Sequence, residues 1–158
     1  MMNSKKNQLI RLLYSLRDKM IENEEFEWNE FIIFASKCLN DDNSSVKQRT
    51  GIGRFYYGAF CSSRDFINEN ETYLDENSKK IMTSKGADVH HETSKIFKHH
   101  EKYKKENSGK IISKNLNKLR KMRNKVDYDK VICEPLPKMI KESKKLSERI
   151  IKMLDQLN

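Results

Sequence analysis

Two segments of the chain carry side chains able to do chemistry. The first, Arg49-Thr-Gly-Ile-Gly-Arg-Phe-Tyr-Tyr-Gly-Ala-Phe60, brings Arg49, Arg54, Tyr56 and Tyr57 together, with Arg64 one turn further on. The second, Leu119-Arg-Lys-Met-Arg-Asn-Lys-Val-Asp-Tyr128, brings Arg123, Asn124, Asp127 and Tyr128 together. A guanidinium presents five N–H donors in a rigid fork that suits carboxylate and phosphate oxygens. Half-buried charge costs several kcal/mol unless it is paired. Two helices that both carry such groups are therefore expected to meet in an interhelical polar seam. That seam is either a structural lock or a functional site.

The second segment is the sharper of the two. On a helical wheel Lys110, Lys114, Lys118, Lys121 and Lys125 share one narrow arc, while Ile111, Ile112, Leu116, Leu119, Met122 and Val126 lie opposite. The lysine stripe is a candidate nucleic-acid-binding surface. Arg123 falls inside the apolar arc and Asp127 at its border. The plain reading is an i,i+4 Arg123–Asp127 pair, worth a few tenths of a kcal/mol when exposed. The other reading is a purposeful inward arginine, because solvent-facing basic positions on this helix are lysines. An inward arginine needs a multidentate partner across the bundle or in a ligand.

The remaining candidates are weaker. His90-His91 and His99-His100 sit on one proposed helix, without the i,i+4 spacing and carboxylate or thiolate company that zinc requires. No metal and no cofactor is expected. The Gly51-Ile-Gly53 pair follows no strand, so it is not a dinucleotide loop. No Gly-x-Ser-x-Gly, P-loop or His-Glu-x-x-His motif occurs. Beside Arg123, Asp127 is expected to be a poor base near neutral pH.

The bulk numbers fit a single helical domain spanning residues 1–158. Apolar residues make up 36% and charged residues 35%, with five Gly and two Pro. That is too little turn material for a many-stranded β fold. No apolar run is long enough to cross a bilayer, and residues 9–16, broken by Arg11, do not read as a signal peptide. Cys38, Cys61 and Cys133 are scattered and odd in number, which points to reduced thiols and a cytoplasmic setting. The net charge is +9, and it is one-sided. Residues 1–70 hold ten Lys/Arg against ten Asp/Glu, and residues 71–158 hold twenty-two against thirteen. A one-sided basic surface is the footprint of a polyanion partner. A lysine-rich composition without such a partner produces the same excess.

Helical periodicity places the elements that must position these groups. Residues 9–20 form a first amphipathic helix and residues 28–39 a second, stopped by the Asn/Asp cluster at 40–43. Ser44 or Ser45 caps a long third helix to about residue 68. Residues 69–87 read as a loop with a short helix. A fourth helix covers 88–103, a fifth 110–128, and Pro135 and Pro137 open a sixth. The third helix has partners on two sides, and its three glycines, Gly51, Gly53 and Gly58, imply that another backbone comes close. The expected fold is all-α, an up-and-down bundle of five to six helices.

Taken together, Arg54-Phe-Tyr-Tyr-Gly-Ala-Phe60 and Arg123-Asn-Lys-Val-Asp-Tyr128 resemble the two signature helices of the HEPN superfamily (higher eukaryotes and prokaryotes nucleotide-binding), in particular its small prokaryotic members. Arg49, Arg54, Tyr56, Tyr57 and Phe60 match the first pattern. Arg123, Asn124, Asp127 and Tyr128 match the second, and His90 or His91 could fill an intermediate histidine position. The resemblance covers residues 44–130. It implies a HEPN-like helical bundle, a homodimer joined through these helices, and an RNA-linked role in toxin–antitoxin or anti-phage defence systems. A cognate antitoxin or a nucleotidyltransferase is the implied protein partner, and RNA or a nucleotide the implied ligand.

One departure stands out. Active HEPN ribonucleases place a histidine four to six residues after the arginine, and here all four histidines precede Arg123. The resemblance therefore implies an RNA- or nucleotide-binding protein lacking that motif. The alternatives are a metal-independent endoribonuclease, in which His90 or His91 supplies the base to Arg123, and a non-catalytic dimeric scaffold.

Overall fold

A computed structural model describes residues 26–39, 44–84, 86–104 and 107–157. The expected helix at 9–20 and the stop cluster at 40–43 lie outside them. The described elements are α1 (Asn29–Cys38), α2 (Ser45–Asn68), α3 (Glu76–Met82), α4 (Asp88–His99), α5 (Ser108–Tyr128) and α6 (Leu136–Asp155). Single 3-10 turns at Glu71–Tyr73 and Glu101–Tyr103 complete them. No strand occurs among the described residues, and the architecture is an all-α bundle. No described helix is long and apolar enough to cross a membrane.

Helix α2 is the central element. It begins where the Ser44 side chain accepts a hydrogen bond from the Lys47 amide, which satisfies one of the free N–H groups of its first turn. It then packs on α1, α4, α5 and α6. Ile52, Phe55, Ala59 and Ile67 are fully buried along it. Two of its glycines are steric necessities. A Cβ on Gly51 would sit 2.7 Å from Ile140 Cδ1 and 3.0 Å from Cys38 Cβ. One on Gly58 would sit 2.7 Å from Ile32 Cγ1 and 3.2 Å from the Trp28 carbonyl oxygen. These contacts let α1 and α6 close onto α2. Gly53 departs from the expected close approach, because its nearest atom would be Asp127 Oδ1 at 3.9 Å.

Helix α4 is shorter than the expected 88–103. His100 turns extended, with φ −71° and ψ 132°, and Tyr103 folds back in a 3-10 turn. Tyr103 is buried beside Gly109, where a Cβ would come within 2.1 Å of the Phe97 carbonyl oxygen and 2.8 Å of Tyr103. Asn107 takes the left-handed conformation, with φ 59°, which asparagine tolerates better than most residues. That reversal starts α5 at Ser108, two residues ahead of its expected start, and lays it antiparallel on α4. At the other end Pro135 and Pro137 open α6, where a missing N–H costs nothing.

The glycines separate by substitution. Gly53→Ala is expected to raise stability by about 0.5–1 kcal/mol through helix propensity. Gly58→Ala should instead cost about 1–3 kcal/mol through overpacking. Thermal melts of the two variants followed by circular dichroism check the opposite signs.

Candidate functional site

The site lies where α2, α4 and α5 meet. Helix α2 turns Tyr56 and Tyr57 to neighbouring sides, their ring centroids 5.3 Å apart. Tyr57 faces α5, where its hydroxyl accepts a hydrogen bond from Arg123 Nη2 at 2.8 Å. Arg123 Nη1 donates to Asn124 Oδ1 at 3.2 Å and to the Tyr128 hydroxyl at 3.3 Å. Asp127 Oδ2 lies 2.6 Å from Arg123 Nε as an ion pair, in an orientation that makes no hydrogen bond at that nitrogen. The guanidinium carbon is 5.3 Å from both the Tyr57 and the Tyr128 ring centroids. Both sequence readings of Arg123 are thus present in one side chain, an i,i+4 ion pair and a contact across the bundle. At 20% side-chain exposure it is mostly covered. Burial works against its charge, but Tyr57, Asp127 and Tyr128 outweigh that and hold its pKa above the usual value.

Tyr56 faces α4. Its hydroxyl lies 2.6 Å from His90 Nδ1, and the ring of Phe60 packs 4.0 Å from the imidazole. Burial drives the His90 pKa down to about 4, helped by the guanidiniums of Arg120, Arg123 and Arg64. At neutral pH His90 is therefore an uncharged imidazole among three cations. Burial also pushes the Tyr56 phenol well above its ordinary range, with Arg120 opposing the shift. Cys61, on the Tyr57 side of α2, is pushed up to about 11 by burial, so it remains a thiol.

Other expected members fall elsewhere. His91 points to solvent. Arg54 stands apart from the Arg123 cluster, its guanidinium carbon 4.7 Å above the Phe31 ring of α1. Arg49 does bridge α2 and α5, but its partners are backbone. Nη1 donates to the Val126 and Asp129 carbonyls, both at 2.9 Å, and Nη2 to Lys130 O at 3.4 Å. It caps the C-terminus of α5, where unpaired carbonyls and the helix dipole favour a cation. Arg64 Nε lies 3.6 Å from Asp65 Oδ1, and Asp65 also accepts from Trp28 Nε1. Lys110, Lys114, Lys118, Lys121 and Lys125 are all exposed on α5. Lys118 pairs with Glu142, and Lys125 with Glu134 at 3.1 Å.

The residue that sequence reasoning missed is Arg120. It lies one turn before Arg123, at the edge of the apolar arc, and only the position of α4 reveals that its charge acts on His90. It makes no hydrogen bond or ion pair within the described residues. Its signal was an arginine on a helix whose other solvent-facing cations are lysines. The cleft of about 500 Å³ bounded by Trp28, Asp65, Glu69 and Asp155 holds none of these groups. Among the described residues no cluster of three or more His, Cys, Asp or Glu could hold a metal ion.

The chain matches no protein-family model, no curated protein and no solved structure. What the arrangement can do follows from its chemistry. Guanidiniums at one locus attract an oxyanion, and a neutral imidazole beside them can accept a proton once that anion offsets their field.

The His90 environment has a pH signature. A native pKa of about 4, below the unfolded value of about 6.5, means that only the unfolded chain takes up this proton between the two. Stability linked to His90 is present above pH 6.5 and declines as pH falls towards 4, by on the order of 1 kcal/mol once solvent screening of this half-buried group is counted. A His90→Gln variant should lose less stability than the parent between pH 7 and 4.5. Denaturant unfolding at the two pH values measures the difference.

Proposed function

We propose that this protein is a HEPN-like RNA- or nucleotide-binding protein, acting as a homodimer in a prokaryotic toxin–antitoxin or anti-phage defence system. The observation that carries the reading is the Arg123–Tyr57 hydrogen bond, which joins the two segments that resemble the HEPN signature helices. Near it lies an uncharged His90, which also feels the guanidinium charges of Arg120 and, more weakly, Arg64. Phosphate is the ligand chemistry that suits such a group. Arg123 is held in place by four side chains, so it adds a fixed charge at no ordering cost. Arg120 has its fork free of partners within the described residues and supplies the bidentate contact to phosphate oxygens. The setting, and a cognate antitoxin or nucleotidyltransferase as partner, rest on the resemblance alone.

One observation favours a second reading, a metal-independent endoribonuclease. His90 is close enough to Arg123 and Arg120 for both to depress its pKa. In the tautomer that donates from Nδ1 to Tyr56, Nε2 is the free basic nitrogen. Such a nitrogen can take the proton from a ribose 2′-hydroxyl while a guanidinium stabilises charge on the phosphate. The base would then come from α4 rather than from the helix that carries the arginine.

Two measurements test these readings. Titration with a nucleoside monophosphate at low salt should show saturable binding that weakens at least tenfold in Arg120→Ala. Absence of both nucleotide and RNA binding overturns the proposal and leaves the seam as a dimer scaffold. Incubation with end-labelled RNA then decides catalysis. Cleavage that survives EDTA, persists in Lys145→Ala and falls at least 100-fold in His90→Gln and in Arg123→Ala supports the ribonuclease.

A further inference from the structure

A groove runs along the surface between α4 and α5, lined by none of the seam residues. It has a volume of about 480 Å³, and its lining includes Lys98, Lys110, Lys114, Lys118 and Lys121, with no carboxylate, aromatic or aliphatic residue. Lys98 comes from α4 and faces the stripe on α5, so the cations stand on both walls. The two helices are tied beneath it. Asn117 Nδ2 donates to Ser94 Oγ at 2.7 Å, and the Ser94 and Ser113 hydroxyls pair at 2.8 Å. These bonds fix the spacing of the walls before any partner arrives, which lowers the entropy lost on binding. Within the lining only Lys118 is matched to a carboxylate, Glu142.

We infer that this groove binds the phosphate backbone of double-stranded RNA, independently of base sequence. The inference deepens the RNA-binding reading above and rests on it. Three observations select this partner. Lysine contributes compact charge without the fork that reads guanine edges or grips one phosphate bidentately, so the contact is to backbone. Base stacking on aromatic side chains, which single-strand binders use, has no platform in the lining. A membrane surface binder needs apolar side chains to insert among lipids, and the lining offers none.

The geometry suits a duplex. Lys110 to Lys121 spans about 17 Å of helix axis, a length over which a duplex backbone carries a dense row of negative charge. The groove also leads to the seam. Ser113, Asn117, Arg120 and Asn124 follow one another at three- and four-residue steps along α5, so a backbone lying in the groove continues to the guanidiniums around His90.

Fluorescence anisotropy with a 20-base-pair RNA duplex, and with one of its strands alone, tests the inference across a KCl series. About four phosphate contacts predict a slope of log K against log salt near −3.6, and a loss on the order of 100-fold between 50 and 200 mM. Lys98→Ala/Lys114→Ala should make the slope shallower by about two. Lys141→Ala/Lys145→Ala, on the exposed side of α6, should leave it unchanged. Circular dichroism checks that both double variants are folded. Nucleoside monophosphate binding at the arginine cluster should be unaffected by the groove variants. Loss of mononucleotide binding with duplex binding intact would overturn the seam reading and leave the groove standing. The groove inference itself is overturned by any of three results: an unchanged slope in Lys98→Ala/Lys114→Ala, single strand bound as tightly as duplex, or phosphatidylglycerol vesicles captured through the same lysines.

Discussion

The antiparallel contact between α2 and α5 is the constraint on which the site depends, and two guanidiniums of opposite origin fix it. Arg49, near the start of α2, reaches the carbonyls that end α5. Arg123, on α5, reaches the hydroxyl of Tyr57, eight residues further along α2. The two attachments on α2 lie about 12 Å apart. One attachment would set distance and leave rotation free. Two set register and rotation together, and directional hydrogen bonds to charged donors are the stronger kind. Once Tyr57 is directed at α5, the helical step turns Tyr56 towards α4, where it meets His90.

Close packing on the other side of α2 makes that arrangement rigid. Gly51 and Gly58 bring α6 and α1 against the helix with no room for a methyl group, so α2 cannot shift towards them. The polar groups on its far side therefore face fixed counterparts. Arg54 marks the boundary between the two environments. It lies between the glycines in sequence, yet its guanidinium stacks on Phe31 of α1, where the aromatic face offers attraction without hydrogen bonding. An arginine three residues before Tyr57 thus serves the α1 contact and leaves the α5 contact to Arg123.

What could be read from the sequence follows the range of the interaction. The bounds of α2 were legible because a serine cap and a periodic apolar face are local signals, and so was the all-α class. The end of α4 was not. His100 leaves the helix because Tyr103 must fold into the space beside Gly109, a contact between segments that no periodicity reports. The meeting of Arg123 with Tyr57 could be expected from buried charge seeking a partner. The destination of Arg49 could not, because backbone carbonyls at a helix end carry no residue signature. The choice between His90 and His91 turns on a 100° difference in helical phase, settled only by which side of α4 packs against α2. Arg120 escaped for the same reason, since its role is set by the neighbouring helix and not by its own.

The balance of charge at the seam has a consequence for its chemistry. Burial first, and then Arg120, Arg123 and Arg64, lower the pKa of one histidine, while the carboxylates beside these arginines are Asp127 and Asp65. Burial alone favours the uncharged imidazole, and the three guanidinium charges add to that effect. Like charges held close repel, and the histidine gives up its own protonation near neutral pH to remain there. An oxyanion reverses both effects at once, because it offsets the guanidiniums and restores the proton affinity of His90. Arg123 and Arg64 are each paired with a carboxylate. Arg120 is the guanidinium of the three left without an internal counterpart among the described residues, and such a broken local rule is where a binding site is sought. Under the proposed reading, that uncompensated charge is where a phosphate would dock.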